Sequence, residues 1–138
     1  QARAWLVRHR IPITPVRGSL IHAWWQQHLA DQLRAAGWRV ELESTVDGHA
    51  FDLAAKRDGQ SLLLEVETGR SDWLKNLTHL ERAAADHKAV LWLDAASRRR
   101  ARSAAAATIV VLAPAEVGRW IEAIGRRVPV KDHGYSPG

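Results

Sequence analysis

The chain is 138 residues long, 46% hydrophobic and 25% charged, enough for one domain with a real core and ordinary for a globular protein. A formal net charge of +5 and a pI near 10.4 point toward a polyanionic partner. The absence of cysteine excludes disulfides and thiolate zinc sites and favours an intracellular, cytoplasmic setting; no apolar run reaches the ~20 residues that span a bilayer, and no signal peptide is visible. A chain that starts at Gln1 and contains no Met reads as a piece of a longer protein.

Residues 1–17 are basic and carry Pro12 and Pro15, which reads as a linker or arm from a preceding domain. Gly18-Ser19 offers an N-cap for a helix of about 17 residues closed by Gly37. Leu20, Ile21, Trp24, Trp25, Leu29, Leu33 and Ala36 give that helix a broad apolar face. Trp38 to Glu43 alternates as a half-buried strand. Val46 to Ala55 leads to the turn signal Asp58-Gly59, and Leu62-Leu63-Leu64 leads out of it, which predicts a hairpin. Thr68 to Ser71 is a loop, and Ser71 or Asp72 caps a helix to about Ala85 with Trp73, Leu77, Leu80 and Ala84 inward. Ala89 to Leu93 and Thr108 to Leu112 read as buried strands, separated by a basic helical patch from Ser97 to Arg102. A last helix begins near Pro114 and carries Val117, Trp120, Ile121 and Ile124. Residues 126–138 form a tail, leaving a domain over 18–125. Its class is α/β: a mixed central sheet of about five strands flanked by helices, in the order αβββαβαβα.

Three acids interrupt the predicted hairpin. Asp52 lies between Phe51 and Leu53, Glu65 follows three leucines, and Glu67 stands two residues on. Alternation places Glu65 and Glu67 on one strand face, and the hairpin can bring Asp52 beside them. Carboxylates converging at the end of a buried sheet repel one another and lose hydration, so they call for a cation or shared protons. Oxygen-rich sets of this kind suit Mg²⁺ or Mn²⁺. The alternative is that the acids cap strand ends and pair with surface Lys or Arg.

The element order, with Asp52, twelve residues and then Glu65-x-Glu67, resembles the PD-(D/E)XK nuclease superfamily and its restriction-endonuclease-like fold. The resemblance covers about residues 18–113. Gly18-Ser19-Leu20-Ile21-His22 is similar to the G-[ST]-x-x-H segment of RecB-like nucleases. Glu65 to Asp72, with Asn76, resembles nuclease-fold domains found beside HerA/FtsK-type motor ATPases and in mobile-element proteins. The resemblance implies a Mg²⁺- or Mn²⁺-dependent deoxyribonuclease, an endonuclease or exonuclease within a DNA-processing or mobile-element protein. Asp52, Glu65, the Val66 carbonyl and His22 would hold the metal, and Glu67 would orient the attacking water. Two departures stand out: Phe51 replaces the motif's Pro, and Glu67 replaces its Lys. A Glu cannot stabilise developing phosphorane charge as Lys does, so a catalytically inactive DNA-binding module of the same fold, or a docking domain for a motor ATPase, stand as rival readings, and a homo-oligomer is open.

His22 reads as a core or helix-surface histidine or as a ligand; it shares a helix side with Leu29 and Leu33, which points it inward. Asp72, Asn76 and His79 line one edge of the second helix, as an ordinary polar border or as a row touching DNA. Lys75 is on that helix's solvent side, and Lys56, four residues past Asp52 on the same strand face, is a weak substitute for the missing lysine. Arg98, Arg99, Arg100 and Arg102 read as phosphate contacts or as a solvated face. No G-x-S-x-G elbow, P-loop, H-E-x-x-H or Cys nucleophile is present.

Overall fold

The structure, a computed structural model, describes residues 17–127, with side chains from Leu20 to Arg126. The predicted arm and tail otherwise lie outside the described residues. Helix α1 (Arg17–Ala35) leads into strands β1 (Arg39–Val46), β2 (His49–Arg57) and β3 (Gln60–Glu67). Helix α2 (Trp73–Arg82), strand β4 (His87–Trp92), helix α3 (Ala95–Ala104) and strand β5 (Ile109–Leu112) follow, and a 3₁₀ turn (Pro114–Glu116) precedes helix α4 (Val117–Arg127). This is the expected αβββαβαβα order. The five strands form one sheet in chain order. The β1–β2 and β2–β3 pairs are antiparallel, and β3–β4 and β4–β5 are parallel.

Both antiparallel connections are two-residue turns with positive φ at each position: Asp47 (52°) and Gly48 (79°), then Asp58 (48°) and Gly59 (80°). These values make type I′ turns, whose twist matches that of the flanking strands. The first Asp-Gly pair extends β1 to Val46 and starts β2 at His49, where the apolar pattern alone suggested a strand ending at Glu43 and another running on from Val46.

The sheet carries a core on each face. Leu53, Ala55, Leu62, Leu64, Val66, Ala89 and Leu91 pack beneath α1 and α4, meeting Leu29, Leu33, Val117, Ile121 and Ile124. Phe51, Leu63, Val90, Trp92 and Val111 pack beneath α2 and α3, meeting Leu77, Leu80 and Ala101. The seven apolar residues of α1 do not all turn inward, because they span more of the helix than one sheet can cover. Leu29 and Leu33 are buried and Trp25 and Ala36 pack at the core's edge, whereas Leu20, Ile21 and Trp24 are exposed. Helix α1 also begins at Arg17, so Gly18 and Ser19 lie in its first turn and do not cap it.

Helix α2 starts where Asp72 accepts a hydrogen bond from the Lys75 amide at 3.4 Å and ends three residues before the expected Ala85. The buried Lys88 explains the early stop. Its Nζ donates to the Glu81 and Ala83 carbonyls at 2.8 and 2.9 Å, satisfying carbonyls that the helix end leaves open. Among the described residues no helix is long and apolar enough to cross a membrane.

Candidate functional site: a carboxylate fork between two strands

The β2–β3 ladder stops at the pair Leu53↔Leu64. Beyond it the strands part, and two carboxylates take over the hydrogen bonds that a ladder would have made. Asp52 Oδ2 accepts from the Val66 amide at 2.8 Å, and Glu65 Oε2 accepts from the Asp52 amide at 3.0 Å. Each acid is thus bonded to the other strand's backbone. The Val66 carbonyl shares this side of β3, because a strand residue directs its N–H and C=O to the same edge. The neighbouring Glu67 carbonyl faces β4 and accepts from the Leu93 amide at 2.9 Å.

Helix α1 closes the fork. His22 Nε2 stands 3.1 Å from Asp52 Oδ2, and Gln26 Nε2 donates both to the Asp52 carbonyl and to Glu43 Oε2, each at 2.8 Å. These bonds leave Asp52 Oδ1 and Glu65 Oε1 without a hydrogen-bond donor among the described residues.

The electrostatics follow from burial and crowding. Glu65 is pushed up from 4.5 to about 8, first by burial and then by the charge of Asp52; the Asp52 N–H bond and His22 oppose the rise. The hydrogen bond to Asp52 raises the pKa of His22, reinforced by the charges of Asp52, Glu43 and Glu65 and resisted by burial. When protonated, His22 places a positive charge beside the acids of the fork.

Glu67 does not join this group. It lines the same small cleft as Glu65, with Trp73, Asn76 and Trp92, so the two acids do share a strand face. Its carboxylate is turned into the following loop: Oε2 accepts from the Gly69 amide at 2.8 Å and Oε1 from the Ser71 hydroxyl at 2.6 Å. Asn76 Nδ2 in turn donates to Ser71 Oγ at 3.2 Å. Gly69 has a φ of 99°, and a Cβ there would lie 2.7 Å from Asp94 Cβ, so the loop after β3 rests directly on the loop after β4. Among the described residues no three His, Asp or Glu side chains converge closely enough to form a metal-binding group unaided.

The donor chemistry of the fork nonetheless suits a hard divalent cation: two carboxylate oxygens that no hydrogen-bond donor claims among the described residues, and a backbone carbonyl on the same edge of β3. Asp52, Glu65 and the Val66 carbonyl are the groups that could hold it; His22, a candidate ligand from the sequence, has its Nε2 engaged with Asp52 Oδ2, and the Glu67 carboxylate is turned away.

The other sequence-chosen residues scatter. His79 stacks on His49 with ring centroids 4.0 Å apart, and Asp72 serves as the α2 cap, which leaves Asn76 as the member of that row at the cleft. The arginine run divides in two. Arg98 Nη1 donates to the Trp92 carbonyl at 2.7 Å, while Arg102 Nη2 bonds the Val111 carbonyl at 3.2 Å and Glu116 Oε1 at 2.8 Å. Both tie α3 to strand ends, and of the run only Arg99 and Arg100 are exposed without such bonds. Lys56 pairs across the strands with Arg39, toward the hairpin tip and away from the fork, and Lys75 is exposed. Gln26 and Glu43, which hold the fork from α1 and β1, are not singled out by any motif in the sequence. The one available signal was a glutamine four residues after His22, on the same inward side of the helix.

Comparison of the chain with protein-family models, with curated proteins and with solved structures found no match.

Proposed function

We propose that the chain is a metal-dependent deoxyribonuclease domain of the PD-(D/E)XK type, cleaving phosphodiester bonds at the β2–β3 fork. The observation that carries this reading is the replacement of ladder hydrogen bonds by Asp52 and Glu65 at the parting of two central strands. A fold has no structural need to place two half-buried acids there, and the rise of Glu65 to about 8, caused first by desolvation and then by the charge of Asp52, suits a pair that a cation would relieve. The αβββαβαβα order and the basic pI of 10.4 agree with the same reading.

In that role Asp52, Glu65 and the Val66 carbonyl would hold the cation, and His22 would orient the Asp52 carboxylate through its contact with Oδ2. A bound Mg²⁺ or Mn²⁺ supplies a water of lowered pKa and neutralises charge on the phosphate oxygens. Glu67 acts at one remove, by holding the Gly69–Ser71 loop and Asn76 beside the cleft. Arg99 and Arg100 contribute phosphate contacts that position DNA without reading its sequence.

The same bonds of Glu67 favour a second reading, a DNA-binding module without turnover. The position that carries Lys in the family motif here carries a buried acid whose two oxygens are both already bonded. Cleavage of plasmid and of linear, branched and single-stranded oligonucleotides with Mg²⁺, Mn²⁺ or EDTA separates the two. The nuclease reading requires cleavage that EDTA and Asp52→Asn both abolish, while DNA binding persists. Binding without cleavage on every substrate and with both metals leaves the silent module.

A further inference from the structure

Residues two apart on a regular strand share a face, yet Phe51 lies in the core beneath α2 and α3 while Leu53 lies in the core beneath α1 and α4. The strand is therefore twisted out of alternation at Asp52. The neighbouring strand is distorted at the same level. Glu43, bracketed by the register pairs Leu42↔Leu53 and Ser44↔Phe51, has a φ of 53°, a left-handed conformation that a side chain other than glycine resists. Such a conformation persists only where surrounding contacts over-determine it.

Those contacts converge on one side chain. Gln26 is 6% exposed, and its amide nitrogen donates one hydrogen to Glu43 Oε2 and the other to the Asp52 carbonyl. A side-chain amide has two N–H donors for two acceptors, so the bridge from α1 to both strands is complete. We infer that Gln26 is the positioning residue of the fork. Its amide holds the local twist of β1 and β2 that turns the Asp52 carboxylate between β2 and β3, against the Val66 amide and beside Glu65. The catalytic consequence rests on the metal-dependent reading above; the structural one does not.

The test uses the whole chain and two readouts. Gln26→Met keeps the volume and removes both donors, and amide hydrogen exchange is followed at Asp52 and Val66, whose N–H groups bond Glu65 and Asp52. The expected result is exchange at least ~10-fold faster at these two amides, with Leu33 and Leu91 unchanged. In cleavage assays the half-saturating Mn²⁺ concentration rises on the order of 10-fold while DNA affinity is unaltered. Glu43→Gln keeps an acceptor for the Gln26 amide and should match wild type in exchange at these two amides. Glu43→Ala removes half of the bridge at an exposed position and should accelerate the same two amides, so the inference remains testable should Gln26→Met fail to fold. Unchanged exchange at Asp52 and Val66 in Gln26→Met and Glu43→Ala overturns the inference, as does an equal acceleration across α1 and the whole sheet. A wild type that cleaves nothing ends the nuclease reading alone, because the exchange measurement still decides what Gln26 does.

Discussion

Glu65→Gln separates the electrostatics of the fork from its geometry. The glutamine carbonyl still accepts the Asp52 N–H that Glu65 Oε2 accepts at 3.0 Å, so the plug between the strands stays in place and only the titratable proton is lost. Glu65 holds that proton to about pH 8 in the folded chain, against an ordinary 4.5. A folded-state pKa raised in this way means that the folded state binds more protons than the unfolded one between those values. Stability is therefore fully present below about pH 4.5, falls as pH rises through the window, and levels off above about 8. At ~1.4 kcal/mol for each pH unit the upper bound is about 5 kcal/mol. Partial exposure to the cleft, with the solvent screening it brings, reduces this to about 2–4 kcal/mol. Urea unfolding in EDTA at pH 5, 7 and 9 measures it. Wild type and Glu65→Gln should be nearly equal at pH 5. At pH 9 the variant should be the more stable by that amount, a midpoint shift of ~2 M urea for an m-value of about 1–2 kcal/mol/M. A difference between the two proteins that is the same at pH 5 and pH 9, to within ~0.5 kcal/mol, would refute the claim that an ionised Glu65 strains the metal-free fork.

His22, whose pKa is raised by its bond to Asp52, favours the folded state as an imidazolium, a contribution complete below its ordinary 6.5 and lost as pH rises through the higher folded value. Asp52→Asn should move the His22 midpoint downward in an NMR titration, and an unmoved midpoint would show that the 3.1 Å contact is absent in solution. Gly69→Ala places a Cβ 2.7 Å from Asp94 Cβ at a φ of 99° and should cost about 2 kcal/mol or more in thermal or urea unfolding; a loss below ~0.5 kcal/mol contradicts the contact between the two loops. Replacing Arg99 and Arg100 together by Ala should flatten the slope of log affinity against log salt for duplex DNA by up to ~0.9 per lost phosphate contact. Arg102→Ala, which releases the Val111 carbonyl and Glu116, should lower Tm and leave that slope unchanged.

What the sequence revealed depended on how local the cause was. The Asp58-Gly59 turn and the triple leucine place the hairpin because turn chemistry and alternation act over a few residues, and the hairpin in turn brings Asp52 to Glu65. His22 was legible as an inward residue because helix periodicity fixes its side relative to Leu29 and Leu33. The direction of the Glu67 carboxylate was not, since alternation assigns a face and says nothing about which donors claim the oxygens; the Gly69 amide and the Ser71 hydroxyl do so. The left-handed Glu43, with a φ of 53°, is bonded by a glutamine 17 residues earlier in the chain, and no pattern within β1 announces it. Arg98 and Arg102 look alike to Arg99 and Arg100 in a run of charge, but the end of the sheet beneath α3 supplies carbonyls that reach only one side of the helix.

The order of the strands also sets when each part of the fork forms. The β1–β2–β3 meander is closed by two-residue turns, whereas the first parallel pair, Leu62↔His87, and the next, Lys88↔Ile109, join residues 25 and 21 positions apart. Short closures are made first in a folding chain, because the entropy of closing longer loops delays the rest. The meander brings Asp52 to Glu65 early, while both are still wet. Trp73, Val90 and Trp92, which with Glu65 line the cleft, arrive with the later half. On that order we expect the dehydration of Glu65 to follow the folding barrier, so that at pH 9 wild type and Glu65→Gln differ in the unfolding arm of a chevron plot and not in the folding arm; a slower folding arm for wild type overturns the expectation.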